Sequence, residues 1–230
     1  MTPDFRYQLR MIETTLNRQP NISSIFISHA HVGHYMGLKE LGLEIMNTDH
    51  IPVYVMPKMK SFLEENEPFN QLIKLNNITL RQISENVTIQ LNDNLSISPI
   101  LVPHRNELSE TIGFTIKSPD KSILYISDID TWDSWDVDIN DLIRANDILL
   151  LDGTFYSDEE LPGRNIQDVP HPFIKESIHK FSLLEEVDRQ KVYFTHLNHT
   201  NPVLKITGLE RSELIDQGYH IAEDGMLFSI

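Results

Sequence analysis

Three histidines within six residues, His29, His31 and His34, close an apolar, β-branched run that begins near Ser23, and a helical pattern follows at once. In extended backbone, residues two apart project to the same side, so His29 and His31 can face one point beyond the strand tip. His34 comes round from the start of the helix. Neutral imidazole is the commonest metal ligand, and three converging nitrogens with an open position suit a catalytic zinc or iron better than a closed structural site. Three surface histidines on a loop are the plainer alternative, and the tight spacing at a strand end argues against it.

The other residues able to do chemistry also sit at or just past the ends of expected strands, where a sheet can gather side chains from distant parts of a chain. His104 and Arg105 follow an apolar strand, although His104 alone reads equally as a satisfied surface histidine. Asp128 and Asp130 end another strand, and carboxylates there can bridge two metals, or bind one and orient its water. Asp130 also suits the cap of a helix beginning near Trp132. Asp152 ends a third strand, and His171, between two prolines, lies nineteen residues on. These two can also simply pair and pin a loop. His196 ends a fourth strand, with Asn198, His199 and Asn201 offering further donors and acceptors. Arg105 and Arg164 are candidate anion clamps, or ordinary solvated arginines.

Positioning these groups requires a sheet-based chain. Phe5, Leu9, Ile12 and Leu16 predict an amphipathic helix from Phe5 to Gln19, stopped by Pro20. A strand over Ile22 to Ser28, a helix over Tyr35 to Met46, a buried strand from Ile51 and a helix through Met59 to Glu65 follow. Alternating runs at Ile78 to Ile83, Val87 to Leu91 and Leu95 to Val102 read as half-exposed antiparallel strands. Further strands are expected at Thr111 to Ile116, Ser122 to Ile126, Asp147 to Leu151 and Val192 to Thr195, with two short ones near Tyr219 and Met226. Helices are expected over Trp132 to Arg144, from Pro172 to Leu184, and over Glu210 to Asp216. The alternation argues an α/β (α+β) chain whose helices pack on its sheets.

At 230 residues and 40% hydrophobic content the chain can build one sizeable domain, 1–230, with a real core. Its formal charge of -15 repels polyanions, which makes nucleic acid an unfavoured partner and a small molecule the expected substrate. The absence of cysteine removes disulfides, thiolate nucleophiles and thiolate metal sites. The first residues lack a signal-peptide pattern, and no apolar run approaches the roughly 20 residues that span a bilayer, so a cytoplasmic location without a membrane partner is expected.

The stretch from His29 to His34 resembles the His-x-His-x-Asp-His signature of the metallo-β-lactamase superfamily, with Gly33 standing where that family has aspartate. The resemblance implies an αββα sandwich with a reduced amino-terminal sheet, because only 28 residues precede His29 where the family places several strands. Either the first strands are lacking or the chain starts inside a longer parent, and a homodimer would cover the exposed edge. The resemblance further implies one or two divalent ions, zinc first and iron or manganese as alternatives. It makes His29, His31 and His104 ligands of a first metal, Asp128 a bridging carboxylate, and His34 with His196 ligands of a second. The family's aspartate serves the second metal, so Gly33 leaves the number of ions open. The pairing of Asp152 with His171 is similar to the branch holding tRNA-trailer endonucleases, phosphodiesterases of phosphonate metabolism and a pyrroloquinoline-quinone biosynthesis protein, PqqB.

Three functions follow. The first is a metal-dependent hydrolase acting on an ester or phosphoester, with Asp128 at the metal and His171 or His199 protonating the leaving group. The second is an iron-dependent oxygenase or hydroxylase, because histidines plus a carboxylate also suit ferrous iron and the resembled biosynthetic protein is associated with oxidative chemistry. The third is a non-catalytic metal-binding remnant, which the glycine at 33 and the short amino-terminal region would suit.

Overall fold

The computed structural model describes every residue except 162, 164, 166 and 167, so the candidate clamp Arg164 lies outside the described residues. The chain divides into two compact units. Unit 1 comprises residues 1–87 and 106–112, and unit 2 comprises residues 88–105 and 113–230.

Unit 1 holds helix α1 (Phe5–Leu16), strand β1 (Ile25–Phe26), helix α2 (Val32–Tyr35), strand β2 (Ile51–Val55), helices α3 (Pro57–Glu65) and α4 (Phe69–Lys74), and strand β3 (Ile78–Gln82). The three strands form one parallel sheet in the order β1-β2-β3. β1 is shorter than its apolar run predicts. It pairs Ile25 with Val53 and Phe26 with Tyr54, so residues upstream of Ser23 lie beyond the start of β2, and Pro52 has no N–H to give a ladder. α1 ends three residues early because Asn17 turns left-handed at φ 49° and donates to Glu13 O. The helix expected to reach Met46 breaks into α2 and a 3-10 turn over Met36–Leu41 that stops at Gly42. That turn buries Leu38 and Leu41 while Leu43 and Ile45 stay exposed, so continuing a helix would bury nothing. Pro57 starts α3 where a missing N–H costs least. Helix α4, absent from the sequence reading, buries Phe69 and Leu72 in the same core as Val53, Val55, Met59 and Leu63.

Unit 2 is built on a mixed sheet in the order β10-β9-β8-β7-β6-β5-β4. Its strands are β4 (Ile89–Asn92), β5 (Leu95–Leu101), β6 (Ile112–Lys117, whose first residue belongs to unit 1), β7 (Ser122–Ile126), β8 (Ile148–Asp152), β9 (Val192–Thr195) and β10 (His220–Ile221). β4 with β5, and β6 with β7, are antiparallel, whereas β7, β8, β9 and β10 run parallel. The parallel strands read as continuous apolar runs because both faces are covered, and Leu124, Ile126, Leu149, Leu151, Val192 and Phe194 are fully buried. The helix expected over Trp132 to Arg144 resolves into a 3-10 turn (Trp132–Ser134) and helix α5 (Ile139–Ala145). The intervening acids cap rather than continue it: Asp138 accepts from Asn140 N at 2.9 Å. Likewise the helix expected to reach Leu184 is α6 (Ile174–Lys180) followed by α7 (Glu186–Arg189). Helix α8 (Leu209–Asp216) matches its expectation, while the segment around Met226 is turn rather than strand. Among the described residues no helix is long and apolar enough to cross a membrane.

Candidate metal centre

Parallel pairing decides which residues of unit 2 share an end. β7, β8 and β9 are in register, Ile126 with Leu151 and Asp152 with Thr195, so the residues just past each strand emerge side by side. Those residues are Asp128, Asp152 with Thr154, and His196, at the carboxyl ends where parallel sheets bind ligands. The segment after β5 joins them, because Asp130 N donates to Pro103 O at 2.8 Å and Arg105 N donates to Asp130 Oδ1 at 3.3 Å. That brings in His104.

Asp128, buried, lies between two imidazoles: its Oδ1 is 3.9 Å from His104 Nε2 and 3.8 Å from His196 Nε2. The His196 ring is held from behind by a hydrogen bond at its other nitrogen, and the other nitrogen of His104 faces a carboxylate. His104 Nδ1 lies 2.8 Å from Asp130 Oδ1, and His196 Nδ1 lies 2.8 Å from Thr154 Oγ1. His196 itself adopts φ 59°, left-handed backbone that few non-glycine residues take, which sets its ring at the strand tip. The turns after β8 and β9 are laced together, Gly153 N donating to Thr195 O and Asn198 N to Thr154 O, each at 2.9 Å.

Behind these groups Asp152, with no exposed surface, accepts four hydrogen bonds. Oδ1 receives Thr154 N (3.0 Å) and Thr154 Oγ1 (2.7 Å), and Oδ2 receives Ile129 N (3.1 Å) and His171 Nδ1 (2.7 Å). Burial pushes the Asp152 carboxyl up, but the His171 and His196 imidazoles and the bonds from His171 and Thr154 N–H outweigh it and hold the group below the ordinary carboxylate range. Burial likewise pushes His171 down, yet the charge and hydrogen bond of Asp152, with Asp128 and Asp130 beyond, raise it above the ordinary imidazole value.

Two sets of unit 2 residues bring one donor atom each within 4.8 Å of one another: His104, Asp128 and His171, and Asp152, His171 and His196. A tetrahedral ion with bonds of about 2.0–2.1 Å spaces its ligand atoms about 3.4 Å apart. In the first set the 3.9 Å between His104 Nε2 and Asp128 Oδ1 closes to that with a shift of about half an ångström, and imidazole with carboxylate suits zinc, iron or manganese. The residues therefore fit a divalent ion.

In unit 1 the three early histidines do cluster. The His29 ring centroid is 4.6 Å from that of His31, edge on, and 4.1 Å from that of His34. His29 and His34 are buried and His31 is partly so. Backbone bonds fix the loop that carries them: Ala30 N donates to Ser109 Oγ at 2.8 Å and Ile112 N donates to Ser28 O at 3.1 Å. His29 Nδ1 meets Ser28 Oγ at 3.1 Å and His31 Nε2 meets Glu107 Oε1 at 3.3 Å. At Gly33 nothing lies within 4 Å of where a Cβ would stand, so there is room for the aspartate of the resembled signature.

The remaining candidates fare differently. His199 is exposed on the turn after β9 and belongs to neither of the unit 2 donor sets. Asn201 is buried and spends its side chain inside the protein, donating to Gly153 O at 2.8 Å and accepting from Val203 N at 3.1 Å. Arg105 donates through its guanidinium to Asp168 O at 3.2 Å. Thr154 had no place in the sequence reading, because a threonine after Asp-Gly is ordinary turn composition. The one signal for it was its position two residues past a strand-ending acid.

The sequence matches the model of the beta-lactamase superfamily domain over residues 2–197. It is similar to a coenzyme PQQ synthesis protein B from Pseudomonas protegens, 31% identical over 96 residues, which is 40% of this chain and 32% of that relative. The chain thus spans about a third of the length of that curated relative. In structure it is similar to zinc-bound PqqB from Methylobacterium extorquens, with a TM-score of 0.82 and 22% identity over 100% of this chain and 81% of that one. It is also similar to a diphosphatase of the PhnP family, with a TM-score of 0.67 and 22% identity over 100% and 78% of the two chains. At these identities the structural likenesses speak to the fold.

Proposed function

The chain is a member of the beta-lactamase superfamily, and from that membership we propose that it is a metal-dependent hydrolase of a small ester or phosphoester. Its proposed metal ligands are His29, His31, His34, His104, Asp128 and His196. The observation that carries the reading is Asp128, buried between the imidazoles of His104 and His196, the second of which is oriented from behind by Thr154 Oγ1 at 2.8 Å. Such backing fixes ring direction and raises ligand basicity. A divalent ion held there would supply Lewis acidity, bringing a water towards ionisation near neutral pH.

The chain's own contribution is a proton and its placement. His171 gives Nδ1 to Asp152 and so keeps Nε2 for the leaving group, and a raised pKa keeps it protonated nearer neutral pH than an ordinary imidazole. His199, exposed on its turn, is the less well held of the two acids. The negative net charge supports a small substrate over a nucleic acid.

The test is hydrolysis of bis(4-nitrophenyl) phosphate and 4-nitrophenyl esters by protein reconstituted with zinc or manganese. His171→Ala is expected to lower kcat by about 10²–10⁴-fold. Full metal loading without turnover on either substrate class would refute the reading. Histidines with a carboxylate also suit ferrous iron, which gives a second reading, an iron-dependent oxygenase, and oxygen uptake by the iron-loaded protein tests it on the same preparation.

A further inference from the structure

We infer that Thr154 is a positioning residue: its hydroxyl fixes the tautomer of His196, so that Nε2 of that ring carries the lone pair and faces Asp128. The inference rests on the metal-centre reading above and adds to it the group that selects the binding nitrogen. Thr154 is buried, and its Oγ1 has three neighbours: Asp152 Oδ1 at 2.7 Å, His196 Nδ1 at 2.8 Å and His171 Nδ1 at 3.2 Å. A hydroxyl has one proton to give and two lone pairs to receive with.

The allocation follows from Asp152. That carboxylate already accepts from Thr154 N, Ile129 N and His171 Nδ1, and an ionised carboxylate has no proton to offer. The Thr154 proton therefore goes to Asp152 Oδ1, in the short contact expected of a hydroxyl on a charged acceptor. Towards His196 the hydroxyl can then only accept, so His196 Nδ1 must carry a hydrogen. Neutral imidazole has one N–H, which leaves Nε2 as the lone-pair nitrogen, 3.8 Å from Asp128 Oδ1. The longer contact to His171 Nδ1 takes the remaining lone pair as the weak arm of a bond whose strong arm is Asp152. One hydroxyl thus ties the Asp152 and His171 pair to the ring proposed as a ligand, and it does so with both its donor and its acceptors used.

The experiment compares wild type, Thr154→Ser and Thr154→Val. Metal-free protein labelled with ¹⁵N-histidine gives long-range ¹H–¹⁵N spectra in which the two neutral tautomers differ, and zinc titration against a competing chelator gives affinity. Wild type and Thr154→Ser are expected to show His196 with hydrogen on Nδ1 and affinities within about threefold of each other. Thr154→Val, which keeps the shape and loses the hydroxyl, is expected to mix the tautomers and weaken zinc by about 10–100-fold, the range for lost outer-sphere partners. Hydrogen on Nε2 of His196 in the wild type would overturn the inference, and that measurement needs no variant to fold. Wild-type tautomer and affinity in Thr154→Val would overturn it too. Hydrolysis is not among the readouts, so absence of turnover defeats the hydrolase reading and leaves this one standing.

Discussion

Replacing Asp152 by asparagine puts the organisation of unit 2 at risk in a way that can be worked out from its four bonds. Each carboxylate oxygen receives two donors, Thr154 N and Oγ1 on one side and Ile129 N and His171 Nδ1 on the other. An asparagine amide can present its oxygen to only one pair, and its NH₂ then faces the other pair, donor against donor. At least one backbone or ring N–H is orphaned whichever way the amide turns, because only the Thr154 hydroxyl can rotate away. An orphaned buried donor costs about 1–3 kcal/mol, and removing one partner of a buried charged pair about 3–5 kcal/mol. We take about 3–5 kcal/mol as the expected loss, which for a chain of this size is about 6–20 °C in Tm. Both tryptophans, Trp132 and Trp135, lie in unit 2, so their fluorescence follows the unit in question during thermal or urea unfolding of metal-free protein. Unfolding of Asp152→Asn within about 1 kcal/mol of wild type would refute the claim that Asp152 is the charged centre of this network, a threshold well below the cost of one charged bond.

Two further outcomes are open to measurement. Gly33→Asp meets no atom within 4 Å of its new Cβ and adds an acid to the first turn of α2, so Tm should hold within a few degrees while a second zinc binds more tightly in titration; unchanged stoichiometry and affinity would count against a metal position beside His34. Asp147 accepts from Ser122 N at 2.8 Å and Ser122 Oγ at 3.0 Å, and these bonds hold its carboxyl below the ordinary carboxylate range. A depressed carboxyl contributes stability above its unfolded pKa and loses it as pH falls through the folded one, so Asp147→Ala should lower Tm at pH 7 and converge on wild type in acid below pH 3.8. Parallel Tm curves across that range would contradict the sign.

Much of the candidate centre was legible because continuous apolar runs ending in an acid or a histidine announce buried parallel strands with chemistry at their tips. Asp128, Asp152 and His196 were placed at strand ends that way, and the rings of His29, His31 and His34 do lie together. The fold class was legible for the same reason, through the alternation of strand and helix periods. What the sequence could not convey was direction after a strand ends. His196 and His199 look alike in the run His-Leu-Asn-His, but φ 59° at His196 turns the chain, leaving the first ring at the strand tip and the second exposed. Asn201 read as a spare donor for the same reason, although the turn brings it back against Gly153 and Thr154. Helix lengths were overread where periodicity ran on past the last residue with a core to meet, as after Leu41.

The order of strands shows what holds the candidate groups of unit 2 in place, independently of the glycine at position 33 in unit 1. These groups are fixed by ladders between β7, β8 and β9, by the lacing of the turns after β8 and β9, and by Asp152, all of which lie within unit 2. None of those contacts passes through Gly33. A glycine at 33 therefore bears on none of the contacts that place the unit 2 rings. A side chain whose only task was to hold others in place would have been costlier to lose, and in unit 2 that description fits Thr154 and Asp152.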